Sequence, residues 1–143
     1  MLGLLAWARD FDRALADVPC SGTGTLAHHP EIKWRLSVEE LAQFHQRQVA
    51  ILRAAIGKLQ SGGRLVYSTC SLEPEENEQV VEVVLRDMPD CKLIDARLVL
   101  DELKSESELT LTDPSLLLDG KFLRVFPGYF ATDGFFAAVI ERN

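Results

Sequence analysis

GGRLVYSTCSLEPEEN, residues 62–77, is a glycine pair, an apolar run, an abrupt stop at small polar residues, and then a proline among acids. RLVYSTC is rich in β-branched and aromatic side chains and predicts a strand. Pro74, with Glu73, Glu75 and Glu76 beside it, suits the positively polarised start of a helix. A strand that feeds a helix is the repeating unit of an α/β sheet, and Cys70 sits where the strand ends, at the rim where open α/β sheets bind ligands. The same construction occurs fifty residues earlier, in ALADVPCSGTGT at 14–25. There FDRALADV, residues 11–18, predicts a buried strand. It stops at Pro19, Ser21, Gly22 and Gly24 and carries Cys20 to its end.

Between the two strands, Ser37 and Glu40 have capping-box spacing, which satisfies free amides at a helix start. Leu41, Phe44, Leu52, Ala55 and Leu59 recur at helical spacing as one apolar stripe, with Gly62 and Gly63 as the predicted stop. After the second strand, Val80, Val81, Val84 and Met88 form the inner face of a helix that Pro89 ends. CKLIDA at 91–96 predicts a third strand. Residues 99–121 read as irregular and acidic, with some helix around Leu98 to Leu103. FLRVFP and FFAAVIER read as closing strands around the turn-rich PGYFATDG. Strand, helix, strand, helix, strand implies right-handed crossovers and a largely parallel sheet, and the short final connection implies an antiparallel ending.

Composition bounds what such a sheet can do. With 143 residues, 47% of them hydrophobic, one core and one domain are expected. Three cysteines, an odd number without CxxC spacing, predict reduced thiols in a cytoplasmic setting and no zinc. The apolar opening MLGLLAWARDF contains Arg9 and Asp10, has no basic region before it, and reads as buried structure rather than a leader. No run approaches the roughly 20 apolar residues that span a bilayer. A net charge of −7 argues against a broad nucleic-acid surface. Positive charge does gather at Lys33, Arg35, Arg47 and Arg53, while Glu73–Glu82 and Asp101–Glu108 are acidic.

DVPCSGTGT, residues 17–25, offers a carboxylate, a thiol, hydroxyls and two glycines that let backbone approach a ligand closely. Phosphate cradling is one reading, although no GKS or GKT follows. Taken singly, Cys20 packs as readily as a small hydrophobe and Asp17 serves as a turn cap. Cys70, just before a helix start, lies where dipole and amides favour thiolate. If the two strands are neighbours in one βαβ unit, both thiols and Asp17 emerge at one carboxyl-end rim. His28, His29 and His45 permit a rival reading as a cysteine hydrolase. Trp34, between Lys33 and Arg35, suits either a base-stacking platform beside phosphate-binding cations or a hydrophobic plug. The acids from Glu73 to Glu78 read as helix-start electrostatics, Cys91 as structural, and DGFF at 133–136 as a glycine turn entering a core strand.

Together DVPCSGTGT, HPEIKWR, GGRLVYSTCS, LEPEENEQVV and TDGFFAA, in this order and spacing, resemble the RNA cytosine-5 methyltransferases of the RsmB/NSUN type. The resemblance covers nearly the whole chain. It implies the C-terminal half of a Rossmann-like class I methyltransferase sheet, mostly parallel with an antiparallel closing strand. It also implies S-adenosylmethionine as methyl donor and cytidine in rRNA or tRNA as substrate. By resemblance the Thr-Cys thiol, Cys70, is the nucleophile and the Pro-Cys thiol, Cys20, assists product release. Asp17 would lie by the donor and the target base, and Lys33, Trp34 and Arg35 would contact RNA. DNA cytosine-5 methyltransferases, which use the Pro-Cys thiol, are the alternative chemistry, and the STC motif counts against them. A non-catalytic remnant of the same fold is the alternative from another class. In this family the glycine-rich donor motif and the ribose-binding acid precede DVPC, so residues 1–143 are expected to be a partial domain, inactive alone. Its unpaired ALADV edge would then favour a homo-oligomer.

Overall fold

A computed structural model of the chain describes residues 11–128 and 130–143. The apolar opening read as buried structure lies outside these residues, apart from Phe11. The elements are β1 (Phe11–Asp17), α1 (Ile32–Arg35), α2 (Val38–Ile56), β2 (Leu59–Thr69), α3 (Glu78–Asp87), β3 (Cys91–Ile94), α4 (Ala96–Ser105), β4 (Leu118–Asp119), β5 (Phe122–Val125) and β6 (Phe135–Arg142). The sheet runs β1-β2-β6-β5-β4, and β3 also pairs with β6. β1 and β2 are parallel neighbours, with Asp17 opposite Ser68, as a βαβ unit requires.

β6 is antiparallel to β2, β3 and β5. Its residues 139–142 take β3 and its residues 135–137 take β5, so these two short strands share the edge that β2 leaves open. β1, β2, β3 and β5 therefore point one way, and β6 and β4 the other. The sheet is mixed because the antiparallel strand lies inside it rather than closing its margin. This order has a functional consequence: the carboxyl ends of β1, β2 and β5 share one rim with the loop that enters β6.

One face of the sheet carries the core. Leu65 and Tyr67 of β2 and Phe136, Ala138 and Ile140 of β6 pack with Leu52 and Ile56 of α2 and Val80, Val81 and Val84 of α3. The capping box at Ser37 and Glu40 forms as predicted. The inner face of α2 is shifted from the expected stripe: Gln48, Val49, Leu52 and Ile56 are buried, Leu41, Phe44 and Ala55 only half so, and Leu59 belongs to β2. The helix ends at Ile56 with Gly57 as cap, so Gly62 and Gly63 are not its stop. They lie inside β2, where Gly62 has φ 77° and a Cβ on Gly63 would come 2.9 Å from the Phe11 carbonyl. The pair absorbs the register break between β1 and β2.

Three further expectations change. β1 is buried on one face only, with Leu15 71% exposed, because its odd-numbered side chains point away from α2 and α3. Pro74 opens a 3-10 turn, Pro74–Glu76, and α3 begins only at Glu78. The segment after β3 is more regular than its acidity suggested, since Asp95 accepts a hydrogen bond from the Arg97 amide and starts α4. Among the described residues no helix is long and apolar enough to cross a membrane.

Candidate active site

The parallel pairing of β1 and β2 sets two loops side by side. Cys20 and Cys70, fifty residues apart in sequence, have sulfurs 3.2 Å apart. Asp17 is exposed at the end of β1 and accepts a hydrogen bond from Ser68 Oγ at 2.9 Å. The expected juxtaposition of two thiols and a carboxylate at one rim is therefore present. Burial, reinforced by the neighbouring Cys70 sulfur, pushes the Cys20 thiol up to about 12, so Cys20 is protonated at neutral pH. Cys70 instead lines a cleft of about 490 Å³ with Thr25, Val125, Phe130, Asp133 and Phe135 among its walls.

Glycines seat these loops against each other. The Gly24 amide donates to the Cys70 carbonyl at 2.9 Å, and the Gly134 amide donates to the Gly24 carbonyl at 2.8 Å. A Cβ on Gly24 would lie 2.6 Å from the Gly134 carbonyl oxygen and 2.7 Å from that of Cys70. DGFF is thus more than a turn into a strand, since Gly134 is the third wall of the thiol site. Gly24 is closed in by backbone, whereas a Cβ on Gly22, at φ 75°, would meet the Ile32 side chain at 3.3 Å.

The structure corrects the reading of the acidic cluster. Glu76 is not a solvated helix-start charge but fully buried. It accepts hydrogen bonds from the Ser21 amide at 2.8 Å, from Ser71 Oγ at 2.5 Å, from Gln48 Nε2 at 3.0 Å, and from the Ser21 hydroxyl. Tyr67 Oη donates to the Glu76 carbonyl at 2.5 Å. Asn77, also buried, accepts from Thr69 Oγ1 and donates to the Ser71 carbonyl. Glu78 pairs with Arg124 at 2.5 Å. The sequence signal missed was the serine that follows each cysteine, Ser21 and Ser71, two hydroxyls in need of one acceptor.

The remaining candidates have partners other than the thiols, although His28 reaches Asp133, a wall of the Cys70 cleft. His28 faces Asp133 at 3.6 Å, His29 faces Glu31 at 3.4 Å, and His45 Nδ1 meets the Glu75 carbonyl at 2.6 Å, so the polar partners of all three are not sulfur. This arrangement does not form a thiol–imidazole dyad. Lys33, Trp34 and Arg35 lie in α1. Trp34 is 85% exposed, with Lys33 Nζ 5.8 Å from its ring centre, and is no hydrophobic plug. Cys91 is buried at the start of β3.

Known proteins similar to this chain include ribosomal RNA methyltransferases. The small-subunit ribosomal RNA methyltransferase B of Klebsiella pneumoniae is 48% identical over 83 residues, which are 58% of this chain and 19% of that protein. That of Vibrio cholerae is 36% identical over 133 residues, 93% of this chain and 26% of that protein. The chain thus spans about a quarter or less of the length of these relatives. The crystal structure of NSun6 from Pyrococcus horikoshii with SFG superposes at a TM-score of 0.65 with 30% identity, covering 90% of this chain and 29% of that one. Residues 4–141 match the family model described as 16S rRNA methyltransferase RsmB/F, and the chain belongs to that family.

Proposed function

We propose that this chain carries the thiol half of an enzyme that methylates carbon 5 of a cytosine in ribosomal RNA through a covalent cysteine adduct. The observation that carries the reading is the Cys20–Cys70 pair, 3.2 Å apart, with Cys70 on the cleft. Carbon 5 of cytosine is a poor nucleophile. Attack by the Cys70 thiolate on carbon 6 forms an S–C bond and drives the ring's electron pair toward carbon 5. Asp17 at the rim would accept a hydrogen bond from the exocyclic amine and so orient the base over Cys70. In release, once carbon 5 carries the methyl group, its proton leaves to solvent, the C–H electron pair re-forms the ring double bond, and the S–C bond breaks with its pair returning to Cys70. Cys20, held as a thiol, donates a hydrogen bond to the departing sulfur.

S-adenosylmethionine, when bound, supplies an electrophilic methyl group. Asp17 fits the edge of such a donor, being exposed, at the carboxyl end of a parallel strand, and held through Oδ1 by Ser68. The family resemblance assigns the donor's glycine turn and ribose acid to strands before DVPC, so these residues would supply only the rim. A relative solved with SFG, an analogue of this donor, supports the choice. Lys33, Trp34 and Arg35, exposed together, would meet the RNA.

The test joins this chain to the upstream part of the Vibrio cholerae relative and follows methyl transfer to ribosomal RNA. Cys70→Ala should abolish transfer without trapping RNA, and Cys20→Ala should accumulate a covalent protein–RNA adduct. The reverse pattern would assign the nucleophile to Cys20 and defeat the proposal.

A further inference from the structure

We propose that Glu76 is a positioning residue that sets the spacing of the two thiols, an assignment that rests on the thiol chemistry above for its catalytic meaning but not for its geometry. The residues on either side of Cys20 are both held by the Glu76 network. On one side the Pro19 carbonyl accepts from Gln48 Nε2 at 2.9 Å, and the same nitrogen donates to Glu76 Oε1 at 3.0 Å. On the other, the Ser21 amide donates to Glu76 Oε1 at 2.8 Å. The residue after Cys70 is held by the second carboxylate oxygen, through Ser71 Oγ at 2.5 Å, and the Ser21 hydroxyl reaches that oxygen too.

One carboxylate, fully buried, therefore ties together the loop after β1, the loop after β2 and the middle of α2. The Gly24–Cys70 and Thr23–Leu72 bonds also join the two loops, but Glu76 joins them through the residues directly after each cysteine. A buried carboxylate accepting from four donors fixes them, since charge-assisted hydrogen bonds are short and directional and all four share one acceptor group. Ser71 Oγ also accepts from the Glu73 amide at 3.0 Å, so the same hydroxyl fixes the turn that begins Pro74–Glu76. Glu76 touches neither sulfur by any of these bonds; its effect passes through the peptide units flanking each cysteine.

The test uses two readouts. Phenylarsine oxide bridges two thiols only if both reach one arsenic, so its binding to the 143-residue chain reports the sulfur spacing without RNA or methyl donor. The unsubstituted chain should capture it through Cys20 and Cys70, and Cys20→Ala should abolish capture. Glu76→Gln, which keeps the shape but loses the charge and one acceptor, should weaken capture by about tenfold, the equivalent of one charge-assisted hydrogen bond. Glu76→Ala should weaken it further. If Glu76→Ala does not fold, Glu76→Gln and Ser21→Ala, checked by circular dichroism, decide the matter alone.

In the joined enzyme, Glu76→Gln should lower kcat by roughly tenfold or more with KM little changed, because misplacement of reacting groups acts on the chemical step. It should also slow adduct release, yet add nothing to the release defect of Cys20→Ala. A folded Glu76→Gln chain with unchanged arsenical capture, or a release defect that adds to that of Cys20→Ala, overturns the positioning role. Weakened capture in an enzyme that forms no RNA adduct at all would instead reject the proposed chemistry while leaving the spacing role intact.

Discussion

Replacing Gly24 by alanine probes the point where all three walls of the thiol site meet. The new Cβ would stand 2.6 Å from the Gly134 carbonyl oxygen and 2.7 Å from the Cys70 carbonyl oxygen, and ordinary contact begins at 3.4 Å. Both obstacles are backbone, so no side chain can rotate away, and the loops must separate by about 0.8 Å. That opening breaks the bonds from the Gly24 amide to Cys70 and from the Gly134 amide to Gly24, now 2.9 and 2.8 Å. Two lost backbone hydrogen bonds at about 1 kcal/mol each, with overpacking strain of about 1–3 kcal/mol, give a destabilisation of about 3–5 kcal/mol. For a chain of this size that should lower Tm by about 10–17 °C in a circular-dichroism melt. Gly57→Ala is the control: Gly57 has helical φ and ψ of −61° and −12°, and its Cβ would meet nothing nearer than 3.4 Å. It should be neutral or stabilising by up to about 1 kcal/mol. A Gly24→Ala chain melting within about 2 °C of the unsubstituted one would refute the claim that backbone contact between these loops builds the site.

Alkaline pH should destabilise the fold. Because burial and Cys70 raise the Cys20 thiol from 9.0 to about 12, the folded state holds a proton that the unfolded chain gives up, so this contribution is full below about pH 9 and is lost as pH rises toward about 12. Urea midpoints should fall across that window, and less steeply in Cys20→Ala. Arg124 is buried between Glu78 and Asp119, so Arg124→Met should cost about 2–3 kcal/mol by stranding Glu78, read as a shift in urea midpoint. Neutralising Lys33 and Arg35 in the joined enzyme should flatten the salt dependence of RNA binding by roughly one unit of slope per lost phosphate contact, and an unchanged slope would exclude α1 from the interface. Among the described residues β1 has a strand partner on one edge only, and Leu15 is exposed, so the 143-residue chain should sediment as a dimer or larger species that Leu15→Glu shifts toward monomer. A stable monomer at high concentration would defeat that expectation.

The sequence alone determined the features that depend on local periodicity and end chemistry. Strand runs that stop at small polar residues located β1 and β2, Ser37 and Glu40 located the start of α2, and the spacing of Val80, Val81 and Val84 located the face of α3. Motifs in register also pointed to the family and to Cys20, Cys70 and Asp17. Tertiary structure decided what depends on partners distant in the chain. No local signal could say that β6 inserts between β2 and the β3 and β5 strands, because strand order is set by which edges remain open once the first pair has formed. Nor could the pattern of α2 reveal Gln48 as a buried residue, since a polar side chain enters a core only where partners such as the Pro19 carbonyl and Glu76 await it. Glu76 is the clearest case. Among glutamates it looks like solvated charge, and only the meeting of two serines, each one residue past a cysteine, makes burying that carboxylate favourable.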